Sequence, residues 1–313
     1  MSFGSAIRLW HTIHRSSHLS YPTAYLLIFH GSSDPRPQLA ATALANQLAE
    51  NMQLAARPSP RLPAPQVGFP AVATSQARHQ TVLTVPAVQP LERPLPLCSP
   101  MVGTASLECS QFPLHIQIQQ FCHSLRSPAK PVPTGGNPAQ AEPQVVILLP
   151  LFLLPGVHVM VDLPAEVAQA QAQLGSSVHL MIAPYLGSHP GMLQILSKQI
   201  AELSVDAWIL LTHGSRRPGA NQTIQTLAKQ VGAIPAFWTN EPSLETRCEE
   251  LLQLGCRTIA VLPYFLFPGG TTDAIAHQVK ALADSYPNLR LHLTPPLAVG
   301  PDLTHLLLEL AMT

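Results

Sequence analysis

Two histidines and two carboxylates are the residues of this chain whose types and spacing suit chemistry. His30 ends the segment AYLLIFH, Glu108 follows TASL, and His158 lies four residues before Asp162 in PLFLLPGVHVMVDLP. Imidazole and carboxylate groups bind divalent cations, and imidazole is the side chain that ordinarily exchanges protons near neutral pH. These residues therefore indicate metal handling or proton transfer, provided that the fold brings them together.

Three segments recur in the same order, which indicates that the chain is an internal duplication. HGS at residues 30–32 returns at residues 213–215, PLFLLPG returns as PYFLFPG, and PYLG returns as PPLA. The two copies differ at the reactive positions. In the sequence alignment His158, Asp162 and Glu108 of the first copy face Thr271, Ile275 and Trp238 of the second.

Each half alternates short apolar strands with amphipathic helices once its Pro-rich segments are set aside. This pattern predicts an α/β fold of two duplicated, doubly wound four-stranded parallel-sheet domains facing a central cleft. Ligands of such sheets bind at the carboxyl ends of the strands. The fold would thus gather His30, Glu108 and His158 at one rim. We expect strands near residues 25–29, 102–107, 145–151, 178–182, 208–212, 234–238, 258–265 and 289–293.

Proline is concentrated at residues 53–101 and 128–143, and we interpret both segments as largely disordered surface insertions. They account for most of the extra length of the first copy. The expected organisation is an N-terminal extension at 1–22, a half carrying the active site at 23–200, and a degenerate half at 201–313.

The bulk composition argues against a nucleic-acid partner and against a membrane span. Formal net charge is zero and 11% of residues are charged, without a basic run that would suit nucleic acid. No apolar stretch reaches the roughly 18 residues of a membrane span. The five cysteines form no CxxC pair, which favours reduced thiols and the cytoplasm.

The first twenty residues weakly resemble a transit peptide, and a disordered extension or a misassigned start is the other interpretation. If they are a transit peptide, the expected location is the plastid stroma.

The HGS element after the first strand, the segment PLFLLPGVHVMVDLP and its degenerate partner PYFLFPGG together resemble the class II tetrapyrrole chelatases. The similarity is to the sirohydrochlorin chelatases that insert cobalt or iron, and it runs from about Ala24 to the C-terminus outside the insertions. It implies that His30, His158 and Glu108 are catalytic and hold the metal. It also implies a tetrapyrrole substrate with eight carboxylates, no permanent cofactor, and Co²⁺ or Fe²⁺ as the substrate metal.

Four further residues are assigned to substrate binding around this set: Ser32, Gly156, Arg36 and Asp162. If the turn after Val157 is helical, Asp162 can accept a hydrogen bond from His158 and fix its tautomer. Arg36, with Arg216 and Arg217, follows an HGS turn and would hold substrate carboxylates. Solvent-facing residues at a helix start are the alternative interpretation of these arginines.

Two other functions compete with metal insertion into sirohydrochlorin. A non-catalytic carrier of tetrapyrrole or metal ions would use the same residues for binding alone. A serine hydrolase using Ser32 beside His30 is disfavoured, because the chain has no GxSxG nucleophile elbow. An internal duplication can replace a homodimer of single halves, so we expect a monomer.

Overall fold

The computed structural model describes residues 23–55, 101–125, 144–215, 219, 221–297 and 301–312. The N-terminal extension, nearly all of both Pro-rich segments, and Arg216 and Arg217 lie outside these described residues. Expectations about them stay predictions.

Eight strands form two four-stranded sheets in the described chain, and every strand pair is parallel. The sheet orders are β2-β1-β3-β4 and β6-β5-β7-β8, so the second sheet repeats the topology of the first. This confirms the predicted α/β duplication. The strands are β1 (Thr23–Phe29), β2 (Met101–Ser106), β3 (Gln144–Pro150), β4 (Val178–Ile182), β5 (Ala207–Thr212), β6 (Ile234–Phe237), β7 (Thr258–Pro263) and β8 (Arg290–Leu293).

Helices cover both faces of each sheet, as the near-continuous apolar strands require. Within the described residues they are α1 (Pro35–Ala55), α2 (Leu114–Ser124), α3 (Leu163–Leu174), α4 (Gly191–Ala201), α5 (Gln222–Val231), α6 (Leu244–Gln253), α7 (Gly270–Ser285) and α8 (Pro301–Met312). None of them combines the length and the apolar composition that crossing a bilayer requires.

Regular structure reaches both ends of the first Pro-rich segment. Residues 53–55 are the last turn of α1 and Met101 is the first residue of β2. The prolines of this segment occupy positions 58 to 100, so no proline lies within the end of the helix or the start of the strand.

A hydrophobic core between the two sheets joins the halves. It contains residues of β1 and β3, of β5 and β7, and of α8. The last helix of each half packs on the other half: α8 lies against α1, and α4 lies against α5. Thr304 in α8 donates a hydrogen bond of 2.9 Å to Gln47 in α1. Neither half therefore buries its inner face without the other.

The chain contains one extra residue between β3 and α3, and it forms a π-helical turn over His158–Asp162. Gly156 and Gly269 correspond, since each accepts a backbone hydrogen bond from the residue four positions on. Buried Leu163 lies seven positions after Gly156, whereas buried Ile275 lies six positions after Gly269. Ile275 therefore corresponds to Leu163, and the sequence alignment that paired it with Asp162 was wrong by one position.

Candidate metal centre

Glu108 is held beside His30 by an extension of the β1–β2 pairing. The backbone N–H of Leu107 donates to the carbonyl of Phe29 at 2.9 Å, and that of Glu108 donates to the carbonyl of His30 at 2.8 Å. Two neighbouring strand ends thus present an imidazole and a carboxylate side by side. In the second half Thr239 makes the matching bond to His213, so Thr239, not Trp238, is the counterpart of Glu108.

Gly31 allows this close approach of the two chain segments. Its φ is +94°, and a Cβ built on it would lie 1.9 Å from the carbonyl oxygen of Glu108. A glycine is required here both for the left-handed backbone and for the space.

The structure brings the three sequence-predicted ligands His30, Glu108 and His158 together. The Nε2 atoms of the two histidines lie 3.2 Å apart, and their rings are nearly perpendicular, at 86°. Glu108 Oε2 lies 3.8 Å from His30 Nδ1, and its Oε1 lies 3.9 Å from His158 Nε2. One potential ligand atom of each residue falls within 4.8 Å of the other two, in the one such cluster among the described residues.

The contacts of the two Nδ1 atoms indicate which nitrogen of each histidine ring carries the proton and which can bind a cation. His158 Nδ1 lies 2.9 Å from Asp162 Oδ2, and His30 Nδ1 lies 3.1 Å from the carbonyl of Gly31. Because both partners only accept, both Nδ1 atoms carry the proton in the neutral rings. The two Nε2 atoms, 3.2 Å apart, are then available to share a proton or a metal cation.

The spacing suits a cation. Two nitrogen ligands at about 2.0–2.1 Å from a tetrahedral ion lie roughly 3.3 Å apart. The three side chains are between one third and just over half exposed, with values of 53% for His30, 48% for Glu108 and 35% for His158. The space between the three side chains is therefore open to solvent.

Asp162 contacts Nδ1 of His158, and replacing it by asparagine tests whether this contact affects metal binding. The introduced amide could donate to Nδ1 and move the ring proton to Nε2, which would block coordination. We expect D162N to bind Co²⁺ about ten- to one-hundredfold more weakly. A titration followed by the visible absorption of Co²⁺ measures this, and an unchanged affinity would show that Asp162 does not set the tautomer.

Arg36 is engaged by two carboxylates. Its Nε and Nη2 donate to Asp34, and its Nη1 and Nη2 donate to Asp273 of α7 at 3.0 and 2.5 Å. The guanidinium lowers the pKa of both aspartates, and they in turn raise its own pKa. Asp273 thus ties the His30 loop to the second half.

Ser32 and Gly156 occupy the turns that carry the two histidines. Ser32 Oγ accepts the backbone N–H of Asp34 at 3.1 Å, and this contact stabilises the turn before α1. Gly156 is exposed, and a Cβ on it would meet no atom within 4 Å. The protein itself leaves this position open to a ligand.

Sequence reasoning missed the apolar surface of the site. Met160 and Val161, between His158 and Asp162, are 47% and 59% exposed, and Phe112 in the loop after Glu108 is 42% exposed. The HVMVD pattern does not indicate this, because in a regular helix one of the two apolar residues would turn towards the core.

A cavity of about 560 Å³ lies between the halves. Its lining includes Leu153 and Leu154, which lead from β3 towards His158, and residues of α4 and α5. The three metal-site side chains are not part of that lining. The cavity therefore adjoins the strand-end rim without containing the predicted ligands.

Comparison with known proteins identifies relatives of this arrangement. A family model described as CbiX matches residues 129–203 and 207–312. A sirohydrochlorin cobaltochelatase of Priestia megaterium is 24% identical over 184 residues, which span 54% of this chain and 60% of that protein.

Solved structures share the fold. SirB from Bacillus subtilis with Fe³⁺ superposes with a TM-score of 0.60 at 17% identity, covering 92% of this chain and 93% of that one. The cobalt complex of the sirohydrochlorin chelatase SirB from Bacillus subtilis subspecies spizizenii gives 0.56 at 16% identity, with the same coverage of 92% and 93%.

Proposed function

The chain belongs to the CbiX family, and on that premise we propose that it inserts Co²⁺ or Fe²⁺ into sirohydrochlorin. The observation that carries the proposal is the pair of imidazole Nε2 atoms 3.2 Å apart with Glu108 beside them. The named relatives are described as sirohydrochlorin chelatases or as holding iron or cobalt, which supports the choice of reaction.

The reaction exchanges one divalent ion for the two protons of the pyrrolic nitrogens. His30, His158 and Glu108 hold the ion with few ligands, so that the macrocycle nitrogens can replace them one at a time. As each imidazole releases the ion, its Nε2 lone pair becomes free to accept a pyrrolic proton. The same side chains thus deliver the cation and take up the protons, which then pass to solvent.

The surroundings suit a flat, partly apolar macrocycle. Exposed Met160 and Val161 lie on the turn that carries His158, and exposed Phe112 follows Glu108. Large apolar side chains that flank a polar centre favour contact with a ring face. The inter-half cavity of about 560 Å³ offers further space at the same rim.

A substrate carboxylate would compete with Asp273 for the guanidinium of Arg36, and this gives a prediction with a definite sign. The variant D273N should lower the KM for the tetrapyrrole severalfold, because it removes the competing negative charge and one of the two acceptor oxygens, while R36A should raise it. Steady-state kinetics at fixed metal concentration compares the two. A higher KM in D273N would show that the Arg36–Asp273 pair stabilises the contact between the halves and does not compete with substrate carboxylates.

The direct test mixes purified protein with sirohydrochlorin and either Co²⁺ or Fe²⁺ under anaerobic conditions. We expect the absorption spectrum of the tetrapyrrole to change to that of the metal complex at a rate proportional to enzyme concentration. Offering both ions together then gives the metal preference. Tight binding without faster insertion in a single turnover would instead identify a carrier.

The assembly and location belong to the same proposal. We propose a monomer, because the shared core joins two halves of one chain as a dimer interface would join two. We propose the cytoplasm, or the plastid stroma if residues 1–22 act as a transit peptide.

A further inference from the structure

Polar side chains connect the first turns of α2 and α3 on the outer side of the first sheet. Glu166 Oε2 accepts hydrogen bonds from the backbone N–H and from ring Nδ1 of His115, both at 2.8 Å. His115 Nε2 lies 3.1 Å from the amide nitrogen of Gln169. Both ring nitrogens are thereby engaged, and the His115 side chain is only 12% exposed. We call His115, Glu166 and Gln169 the brace.

Each of the two helices joined by the brace directly follows a segment that carries a predicted metal ligand. The loop that starts with Leu107 and contains Glu108 leads into α2, and the π-helical turn with His158 continues into α3. Gln117 of α2 fixes the loop, since its amide donates to the carbonyls of Ser106 and Phe112 at 2.8 Å. A contact between the two helix starts therefore links Glu108 to His158.

His158 needs such a link more than the other two ligands do. Backbone pairing holds Glu108 to His30, whereas in the described chain no strand pairing reaches His158, eight positions beyond the end of β3. Its position depends on where the first turn of α3 sits. Apolar packing alone tolerates small shifts of one helix along another, while a pair of hydrogen bonds to one carboxylate oxygen does not.

The degenerate half provides an internal comparison. Matched on the first buried residue of each helix, Leu114 with Leu244 and Leu163 with Ile275, His115 corresponds to Glu245 and Glu166 to Gln278. These positions of α6 and α7, both within the described residues, therefore hold no His–Glu pair. The Oε1 atom of Gln278 is buried there without a hydrogen-bond partner. The half that lost the metal ligands has thus also lost the brace.

We propose that His115 and Glu166 are positioning residues that set the distance from His158 to Glu108 and His30. The inference rests on the proposed metal centre. They touch neither ion nor macrocycle, and they act through the start of α3.

Replacing Glu166 tests the brace through Co²⁺ binding alone, without tetrapyrrole. We expect E166A to weaken Co²⁺ binding about tenfold and to alter its visible absorption bands, because the ligand geometry loosens. E166Q keeps an acceptor oxygen for both His115 donors and should restore binding to within about threefold. The binding titration and the spectrum are measured on the same sample.

Gln173 supplies the matched control. It accepts a 2.7 Å hydrogen bond from Gln119 between the same two helices, seven residues beyond Glu166 and so about two turns farther from His158. Q173A should leave Co²⁺ binding unchanged. Equal losses in Q173A and E166A would show a general stability effect and overturn the proposal.

An unchanged Co²⁺ affinity in folded E166A would also overturn it. If E166A does not fold, E166D makes the same test, since a carboxylate shortened by one methylene keeps the charge but loses the reach to His115. A wild-type protein that binds Co²⁺ without inserting it would refute the proposed function and leave the brace testable. A wild-type protein that binds neither Co²⁺ nor Fe²⁺ would refute both.

Discussion

Alanine in place of His30 or His158 should lower kcat/KM for metal insertion by at least about a hundredfold. Each substitution removes one of two imidazole ligands, and also one of the groups that take up pyrrolic protons, a role typically worth about 10²–10⁴-fold in rate. Both side chains are exposed or partly exposed, so neither variant should lose much stability. Insertion rates at saturating metal, together with a Co²⁺ titration, give the two effects separately.

The second half offers the control for this experiment. His213 stands where His30 stands in the first half, at the end of the first strand and before a glycine with positive φ. The residues around it include Thr239 in place of Glu108, so no cluster of ligands surrounds it in the described chain. H213A should keep activity within about twofold. A loss comparable with that of H30A would mean that the second half also carries chemistry.

The second large effect is expected for Gly31→Ala. The new methyl group would lie 1.9 Å from the carbonyl oxygen of Glu108, far inside contact distance, so the Glu108 segment must move away. That movement breaks the backbone bond to His30 and separates the carboxylate from both imidazoles. We expect activity to fall at least about tenfold, with Co²⁺ affinity falling in parallel.

Gly214→Ala separates this displacement from backbone strain. Its φ is +83°, close to the +94° of Gly31, so both variants carry a similar left-handed penalty of about 1–2 kcal/mol. At Gly214 the methyl group meets the side-chain oxygen of Asn240 at 2.1 Å, which can rotate away, and Cβ of Phe237 at 2.9 Å, a much smaller overlap than that at Gly31. The thermal unfolding temperature should drop in both variants and insertion activity only in G31A. Activity retained in G31A would remove Glu108 from the ligand set.

Much of the architecture could be predicted from local patterns. Apolar strands such as 145–151 and 208–212, separated by amphipathic helices, require a parallel sheet covered on both sides, and the structure confirms two such sheets. Because ligands of such folds bind at strand ends, the sequence alone predicted that His30, Glu108 and His158 lie at one rim. The duplication strengthened this, since a residue lost from one copy is not needed by the scaffold.

Alignment by sequence nevertheless paired Glu108 with Trp238 and Asp162 with Ile275, and both pairings were one position out. The first error arose because the long insertion before β2 leaves nothing nearby to anchor the alignment. The second arose because a π-helical turn adds one residue without changing the apolar character of the segment. Only backbone hydrogen bonds and burial reveal such a shift.

The element order, the duplication and the residue types at the strand ends thus followed from sequence alone, because local periodicity and repetition encode them. Tertiary structure decided what depends on distance between remote residues. It placed two imidazole Nε2 atoms 3.2 Å apart, tied Arg36 to Asp273 across the halves, and joined His115 to Glu166. Side-chain direction and contacts between distant segments are set by the packing of the whole chain, so no local pattern encodes them.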